Sequence, residues 1–267
     1  MAKPNSGKLF DMRDGLISFL RMSLVKATGA DIAEAMQKPF IGIVNSHTEM
    51  NPGHMHLDKL AQRVSDGVNA GGGIPYEFNV PAPCDGMTEG HEGMRFVLPQ
   101  RELIANMVET HVRSMLFDGI VLIASCDKII PGMIMAAARL DLPAIVVTGG
   151  ANAWQIRFSN AYKGSVDFND YRGTPHGIAC CTHATGCGAC EIMGTANTFQ
   201  CLAEVMGLTL PGTGVIPAFH PEKLLAAYQS GQRIVKMVEE NLTARTILTL
   251  DALENAVMMD LAIGGST

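Results

Sequence analysis

Apolar and polar positions along this chain fall into two alternating rhythms. Phe40 to Asn45 (FIGIVN) is a short apolar run rich in β-branched residues and reads as a buried strand. A polar loop containing Pro-Gly follows from Ser46 to Gly53. Leu57, Leu60, Ala61, Val64 and Val68 then recur at the spacing of one helical face, and Gly71-Gly72-Gly73 ends that helix. The cycle repeats with a strand over Ile74 to Val80, a loop from Pro81 to Gly93, and a helix. That helix carries Leu103, Ile104, Met107, Val108, Val112, Met115 and Leu116 on its apolar face. A third strand covers Gly119 to Ala124, with a loop from Cys126 to Gly132, a short helix from Met133 to Leu140 and a fourth strand from Ala144 to Thr148.

Strand, loop, helix, strand in this order predicts an α/β fold, a mostly parallel sheet covered by helices in three layers. In such sheets functional groups gather in the loops after the carboxyl ends of strands. Ser46 to Gly53, Pro81 to Gly93 and Cys126 to Gly132 are all loops of that kind. From Gly149 to Thr185 the chain is polar and turn-rich, which reads as a surface excursion or a subunit contact. Beyond it the pattern predicts a helix from about Ala189 to Met206 with Cys190 in its first turn. Further helices are predicted over Leu224 to Glu240 and around Leu250 to Leu261. There is no internal repeat.

Composition narrows the classes. Hydrophobic residues at 47% and charged residues at 17% describe a chain with a well-buried core. A net charge of −6 argues against a nucleic-acid or anionic-membrane surface. No run approaches the ~18 apolar residues of a membrane span, and Met1 to Gly7 holds no signal-peptide core, so a cytoplasmic location is expected.

The candidate chemistry lies in the cysteines. Seven is an odd number for a disulfide framework, and five of them (Cys180, Cys181, Cys187, Cys190 and Cys201) fall within 22 residues. Cys201 reads as a small core residue. The others sit among Gly, Thr and His on loop-like sequence, where packing explains them less well and metal or cluster ligation accounts better for at least some. Cys84 lies in PAPCDGMTEGHEGM, Cys126 in SCDKIIPG and Cys190 in GCGACEIMGTANTF; Cys84 and Cys126 are each followed directly by Asp. Thiolates suit iron–sulfur chemistry or zinc, and carboxylates suit a hard Mg²⁺. Adjacent residues on an extended loop point opposite ways, so each Cys-Asp pair can face a soft site and a hard site at once. Three thiolates from separate loops would leave one corner of a four-iron cluster free to bind substrate oxygen.

Structural zinc has weaker support, because Cys187 and Cys190 form one C-x-x-C with no second pair at finger spacing. His47, His54, His56 and His91 read as hydrogen-bonded loop or core histidines. GGG at 71–73 and GTG at 212–214 are too short for a nucleotide fingerprint, and no G-x-S-x-G elbow is present.

Several stretches, in order along nearly the whole chain, carry a resemblance: VNSHTEMNPGHMHL, CDGMTEGHEGM, LPQRELIA, SCDKIIPGMIMAAARL, GCGACEIMGTANTFQCLAEVMGLTLPGTG and the closing DLAIGGST. Together they resemble the dihydroxy-acid dehydratase/phosphogluconate dehydratase family, whose members dehydrate 2,3-dihydroxy or sugar acids to 2-keto acids with an iron–sulfur cluster beside a Mg²⁺. The resemblance implies that residues 1–267 form the cluster- and magnesium-binding α/β domain. Cys126 and Cys190 match cluster ligands, and Cys84 matches the position that completes a three-cysteine set in four-iron members. Two-iron members place their third cysteine in the loop corresponding to Ser46 to His56, which has none here, so a 4Fe-4S cluster is favoured over 2Fe-2S. Asp85 and Asp127 match Mg²⁺ ligands. Lys128 matches a lysine that becomes carbamylated and then binds Mg²⁺ through its new carboxylate.

Family members are about twice this length, and their second, β-barrel-like domain supplies the catalytic base and a glutamate ligand. No catalytic base is therefore expected among these residues. The chain stops at GGST inside a family motif, so a truncated fragment is expected, or else one subunit of a split enzyme. Either would bind metals poorly and catalyse little alone. Its partner would be the missing domain or subunit, and the apolar run Leu250 to Ile263 would favour a homo-oligomer or aggregation. NSHTE and LPQRE resemble the branched-chain amino-acid enzyme, which implies the small dihydroxy acid 2,3-dihydroxy-3-methylbutanoate as substrate. PAPCDG leaves a sugar acid as the alternative. A non-catalytic cluster carrier is the third reading.

Overall fold

The computed structural model describes residues 5–152, 186–190 and 192–266. Four parallel strands, β1 (Phe40–Asn45), β2 (Ile74–Asn79), β3 (Gly119–Ala124) and β4 (Ala144–Thr148), form one sheet in the order β2-β1-β3-β4. Ile41 pairs with Pro75 on one side and Gly119 on the other, and Ile120 pairs with Ala144. Among the described residues, seven longer helices flank the sheet or follow it: α1 (Leu16–Ala27), α2 (Leu57–Ala70), α3 (Gln100–Met115), α4 (Ile129–Leu140), α5 (Thr195–Val205), α6 (Pro221–Glu240) and α7 (Leu250–Ile263).

The two-residue period of the strands divides the core cleanly. Phe40, Val44, Ile120, Leu122 and Val146 point to one face, where Ile104 and Val108 of α3 and Ile130 and Met133 of α4 cover them. Ile41, Ile43, Val121, Ile123 and Val147 point to the other, under Leu60 and Val64 of α2 and Ile234 of α6. Strands β1, β3 and β4 are therefore buried throughout and read in the sequence as unbroken apolar runs. Strand β2 is the half-exposed edge, where Pro75 is tolerated. Helices α2 and α6 cross so closely that a Cβ on Gly67 would lie 2.0 Å from the Tyr228 carbonyl oxygen, and one on Gly231 would lie 2.2 Å from that of Val64. Glycine is the residue that both positions admit.

Three helix predictions need correction. Leu103, Met107 and Met115 are exposed, and the buried face of α3 is Ile104, Ala105, Val108 and Val112. Leu116 adopts φ 58° and ends the helix instead of extending its face. Helix α4 begins at Ile129 rather than Met133, since Pro131 falls in its first turn, where a missing N–H breaks no intrahelical bond. Helix α5 begins at Thr195, leaving Cys190 ahead of it. Helix α1 is not among the predicted elements: Leu16, Ile17, Phe19, Leu20 and Leu24 are all exposed, and Ser18 is its buried residue. The expected excursion from 149 onwards lies, from residue 153 to 185, outside the described residues. Helix α7 buries Ala256 and exposes Leu250, Leu253, Val257, Met258 and Leu261, so the expected apolar surface is present. No described helix is long and apolar enough to cross a membrane.

One buried charge holds the carboxyl end of β4. Lys223, 1% exposed, donates to Thr148 Oγ1 (2.9 Å) and to the Thr213 carbonyl (2.8 Å). Burial holds its pKa down to about 7 from 10.5. The unfolded chain thus binds more protons than the folded one between those values, and Lys223 makes stability rise with pH across that window. Urea unfolding at pH 6.5, 8 and 9.5 should show a steeper rise for the wild type than for Lys223→Met, and equal slopes would refute the assignment.

Candidate metal centre

The loops leaving the carboxyl ends of β1, β2 and β3 and the described residues after β4 meet on one side of the sheet, and all six residues singled out for chemistry lie in or just beyond them. The loop after β3 is the tightest. Only Ser125 to Lys128 separate it from α4, so Cys126, Asp127 and Lys128 are fixed by a buried strand behind them and a buried helix ahead. The Cys126 N–H donates to His54 Nε2 at 3.0 Å. That nitrogen must be unprotonated, so Nδ1 carries the hydrogen and donates to the Ser46 carbonyl at 2.8 Å. His54 is fully buried, and burial holds its pKa down to about 4. It is a neutral strut between two loops, in keeping with the reading of the histidines as hydrogen-bonded core residues. His56 is likewise buried and bonded to the Gly149 carbonyl at 2.8 Å.

Asn51 ties three of these loops together. Its Nδ2 lies 3.0 Å from the Ala82 carbonyl, two residues before Cys84, and 3.5 Å from Cys126 Sγ. A Cβ at Gly53 would come within 2.9 Å of that sulfur, so glycine there makes room for it. Cys84 is half-buried and opens the helical turn Asp85–Thr88.

Cys190 is exposed and is held through its backbone. Gly188 N–H bonds the Pro52 carbonyl (3.0 Å), and Ala189 pairs with the Gly150–Asn152 segment. The buried Gln200 accepts from Gly150 N–H (2.7 Å) and donates to Asn197 Oδ1 (2.9 Å). Asn197 Nδ2 then bonds the carbonyls of Cys190 (2.5 Å) and Ile192 (2.8 Å). A side chain thus takes the carbonyls that an earlier-starting helix would have used, which explains why α5 starts late. Burial pushes the Cys126 and Cys190 thiols up, and Cys84 pushes each further. Cys201 is half-buried on α5, Cys187 is half-buried three residues from Cys190, and Cys180 and Cys181 fall outside the described residues.

Beside the sulfurs stands an acid–amine–acid arrangement. Lys128 Nζ donates to Asp85 Oδ2 at 2.5 Å and to Asp127 Oδ2 at 2.8 Å. Burial pulls the Lys128 pKa down, but the two carboxylates outweigh it and leave it raised. Burial, with Asp127 close by, pushes the Asp85 carboxyl up against the pull of Lys128. The other oxygen of each carboxylate, Oδ1 of Asp85 and of Asp127, is buried without a partner. Two orphaned acid oxygens fit a hard cation, since native structures seldom leave such atoms unpaired. Among the described residues, no three His, Cys, Asp or Glu side chains are grouped to hold a single metal ion. Thiolates on a multi-iron cluster ligate different irons, so a cluster does not require that convergence.

Asn51, His54, Asn197 and Gln200 were not singled out in the sequence as parts of this centre. A loop asparagine or histidine is common, and the contacts that give these residues their roles mostly join distant parts of the chain.

A parallel sheet that gathers thiols and carboxylates at the carboxyl ends of its strands defines an α/β protein with adjoining soft and hard donor sets. Residues 38–267 match the family described as dihydroxy-acid/6-phosphogluconate dehydratase, N-terminal, and the chain belongs to that family. It is 46% identical over 262 residues to dihydroxy-acid dehydratase 1 of Methanosarcina acetivorans, an alignment covering 92% of this chain and 46% of that protein. The dihydroxy-acid dehydratase of Methanospirillum hungatei is 42% identical over 265 residues, covering 96% and 48%, and that of Dehalococcoides mccartyi is 42% identical over 274 residues, with the same coverage. The chain spans about half the length of the curated relatives it matches.

Proposed function

We propose that this chain is the metal-binding half of a hydro-lyase that dehydrates a 2,3-dihydroxy carboxylic acid to a 2-keto acid in the cytoplasm. The substrate class of branched-chain amino-acid biosynthesis, 2,3-dihydroxy-3-methylbutanoate and its homologue, fits the names of the relatives best. The observation that carries the reading is the adjacency of the two donor sets. Cys84 and Cys126 each precede a carboxylate, and those two carboxylates flank Lys128 and keep one unpaired oxygen apiece.

Cys84, Cys126 and Cys190 would hold an iron–sulfur cluster, 4Fe-4S in preference to 2Fe-2S, and Asp85, Asp127 and Lys128 would hold Mg²⁺. When bound, these groups supply the positive charge that makes the 3-hydroxyl a leaving group and steadies the substrate carboxylate. An ammonium at Lys128 would repel a cation. After losing its proton, the amine can add to carbon dioxide and release a second proton, which leaves a carbamate whose oxygens complete a hard set with the two orphaned carboxylate oxygens. Loss of the 3-hydroxyl and the C2 proton leaves an enol that tautomerises to the keto acid. None of these six residues is assigned the removal of that proton. The base would come from the partner, a domain or subunit corresponding to the rest of the relatives' length, and the assembly would be a homo-oligomer.

The test is anaerobic reconstitution with iron, sulfide and Mg²⁺ beside a polypeptide matching the relatives' remaining half. Keto acid formed from 2,3-dihydroxy-3-methylbutanoate supports the proposal. Turnover of 6-phosphogluconate alone would move the substrate to the sugar acids. Cluster transfer to an acceptor without turnover of either would make the chain a carrier.

A further inference from the structure

We infer that Asn51 is a positioning residue for the cluster, donating a carboxamide N–H to the Cys126 sulfur and so governing how firmly the cluster is held and how readily it is reduced. This rests on the reading of Cys126 as a cluster ligand.

The amide has little freedom. Asn51 is 1% exposed, and its Oδ1 accepts from the Gly53 N–H at 3.0 Å while Nδ2 donates to the Ala82 carbonyl at 3.0 Å. A flipped amide would set oxygen against the Ala82 carbonyl oxygen and nitrogen against the Gly53 N–H, so both of these bonds fix its orientation. With Nδ2 so placed, one N–H serves Ala82 and the second faces Cys126 Sγ, 3.5 Å away. As a thiol, Cys126 can also donate its S–H to Oδ1, 3.6 Å away. A ligating sulfur has lost that proton and can only accept. The Nδ2–H is then the contact that remains, and Gly53 keeps Oδ1 occupied. One side chain therefore sets the distance between the Cys126 loop and the segment leading to Cys84, and it also polarises one of the proposed cluster sulfurs.

Partners of this kind commonly change metal affinity 10–100-fold, and hydrogen bonds to sulfur tune cluster potentials. Removing the donor leaves more charge on sulfur, so reduction becomes harder. The test uses Asn51→Leu, which nearly preserves the shape, adds no charge and has no N–H to give, in the reconstituted full chain together with the relatives' remaining half. The expected result is a cluster that forms, is lost to a chelator roughly tenfold faster than in the wild type, and has a more negative midpoint potential. If that variant does not fold, Asn51→Ser, whose shorter side chain withdraws from the sulfur, carries the same measurements. A folded variant with unchanged release rate and potential overturns the inference. A wild-type chain that takes up no cluster, or a Cys126→Ser variant that takes up a full one, defeats the underlying reading instead, and the inference with it.

Discussion

Cys126→Ser should abolish the brown absorbance of anaerobically reconstituted protein, and Cys84→Ser and Cys190→Ser should do the same. A serine hydroxyl is a hard donor that stays protonated near neutral pH, so the exchange removes a soft ligand with little change in volume. At Cys126 and Cys190 the backbone is held without the sulfur. The Cys126 N–H would keep His54, and the Cys190 carbonyl would keep Asn197. Loss of the cluster in these two variants therefore reports the thiolate and not a displaced loop. Cys201→Ser is the internal control, because that thiol sits on α5 beyond the loop carrying Cys190 and should leave the absorbance unchanged. Cys180→Ser and Cys181→Ser should also leave it unchanged. Full cluster incorporation in Cys126→Ser would end the assignment.

Much of the fold was legible because of where its strands lie. Strands buried on both faces have no polar face to interrupt them, so FIGIVN, GIVLIA and AIVVT stand out as unbroken runs, and their bounds in the sequence match the structure. Helix boundaries were less visible where contacts distant in sequence set them. Helix α5 begins where Asn197 captures two carbonyls, and Asn197 is itself held by Gln200 and, through it, by Gly150. Nothing in the local spacing records that chain of bonds. Helix α3 shows the complementary failure: Leu103, Met107 and Met115 have the right residue type on the wrong arc, and sequence periodicity cannot tell which arc meets a sheet. At the site, the two Cys-Asp pairs were visible because they place soft and hard donors side by side. The proposed assignment of each ligand and the proposed carbamate came from the family resemblance, while Asn51 and His54 became visible only when β3 delivered Cys126 to them.

Lys128→Arg should leave the cluster spectrum intact and remove the Mg²⁺ dependence of keto-acid formation in the complemented protein. A guanidinium stays charged at any accessible pH and cannot add carbon dioxide. It can still donate to Asp85 and Asp127, so the pocket keeps its ion pairs and the fold has no reason to change. What differs is the sign of the charge between the two orphaned oxygens: a fixed cation stands where a carbamate would have to form. Asp85→Asn and Asp127→Asn should weaken Mg²⁺ in the same direction but less completely, since each amide keeps one carbonyl oxygen able to ligate a hard ion. Activity against Mg²⁺ concentration, with cluster absorbance recorded on the same samples, separates the two metal sets. A Lys128→Arg protein that responds to Mg²⁺ as the wild type does would show that this amine serves only to neutralise two buried acids.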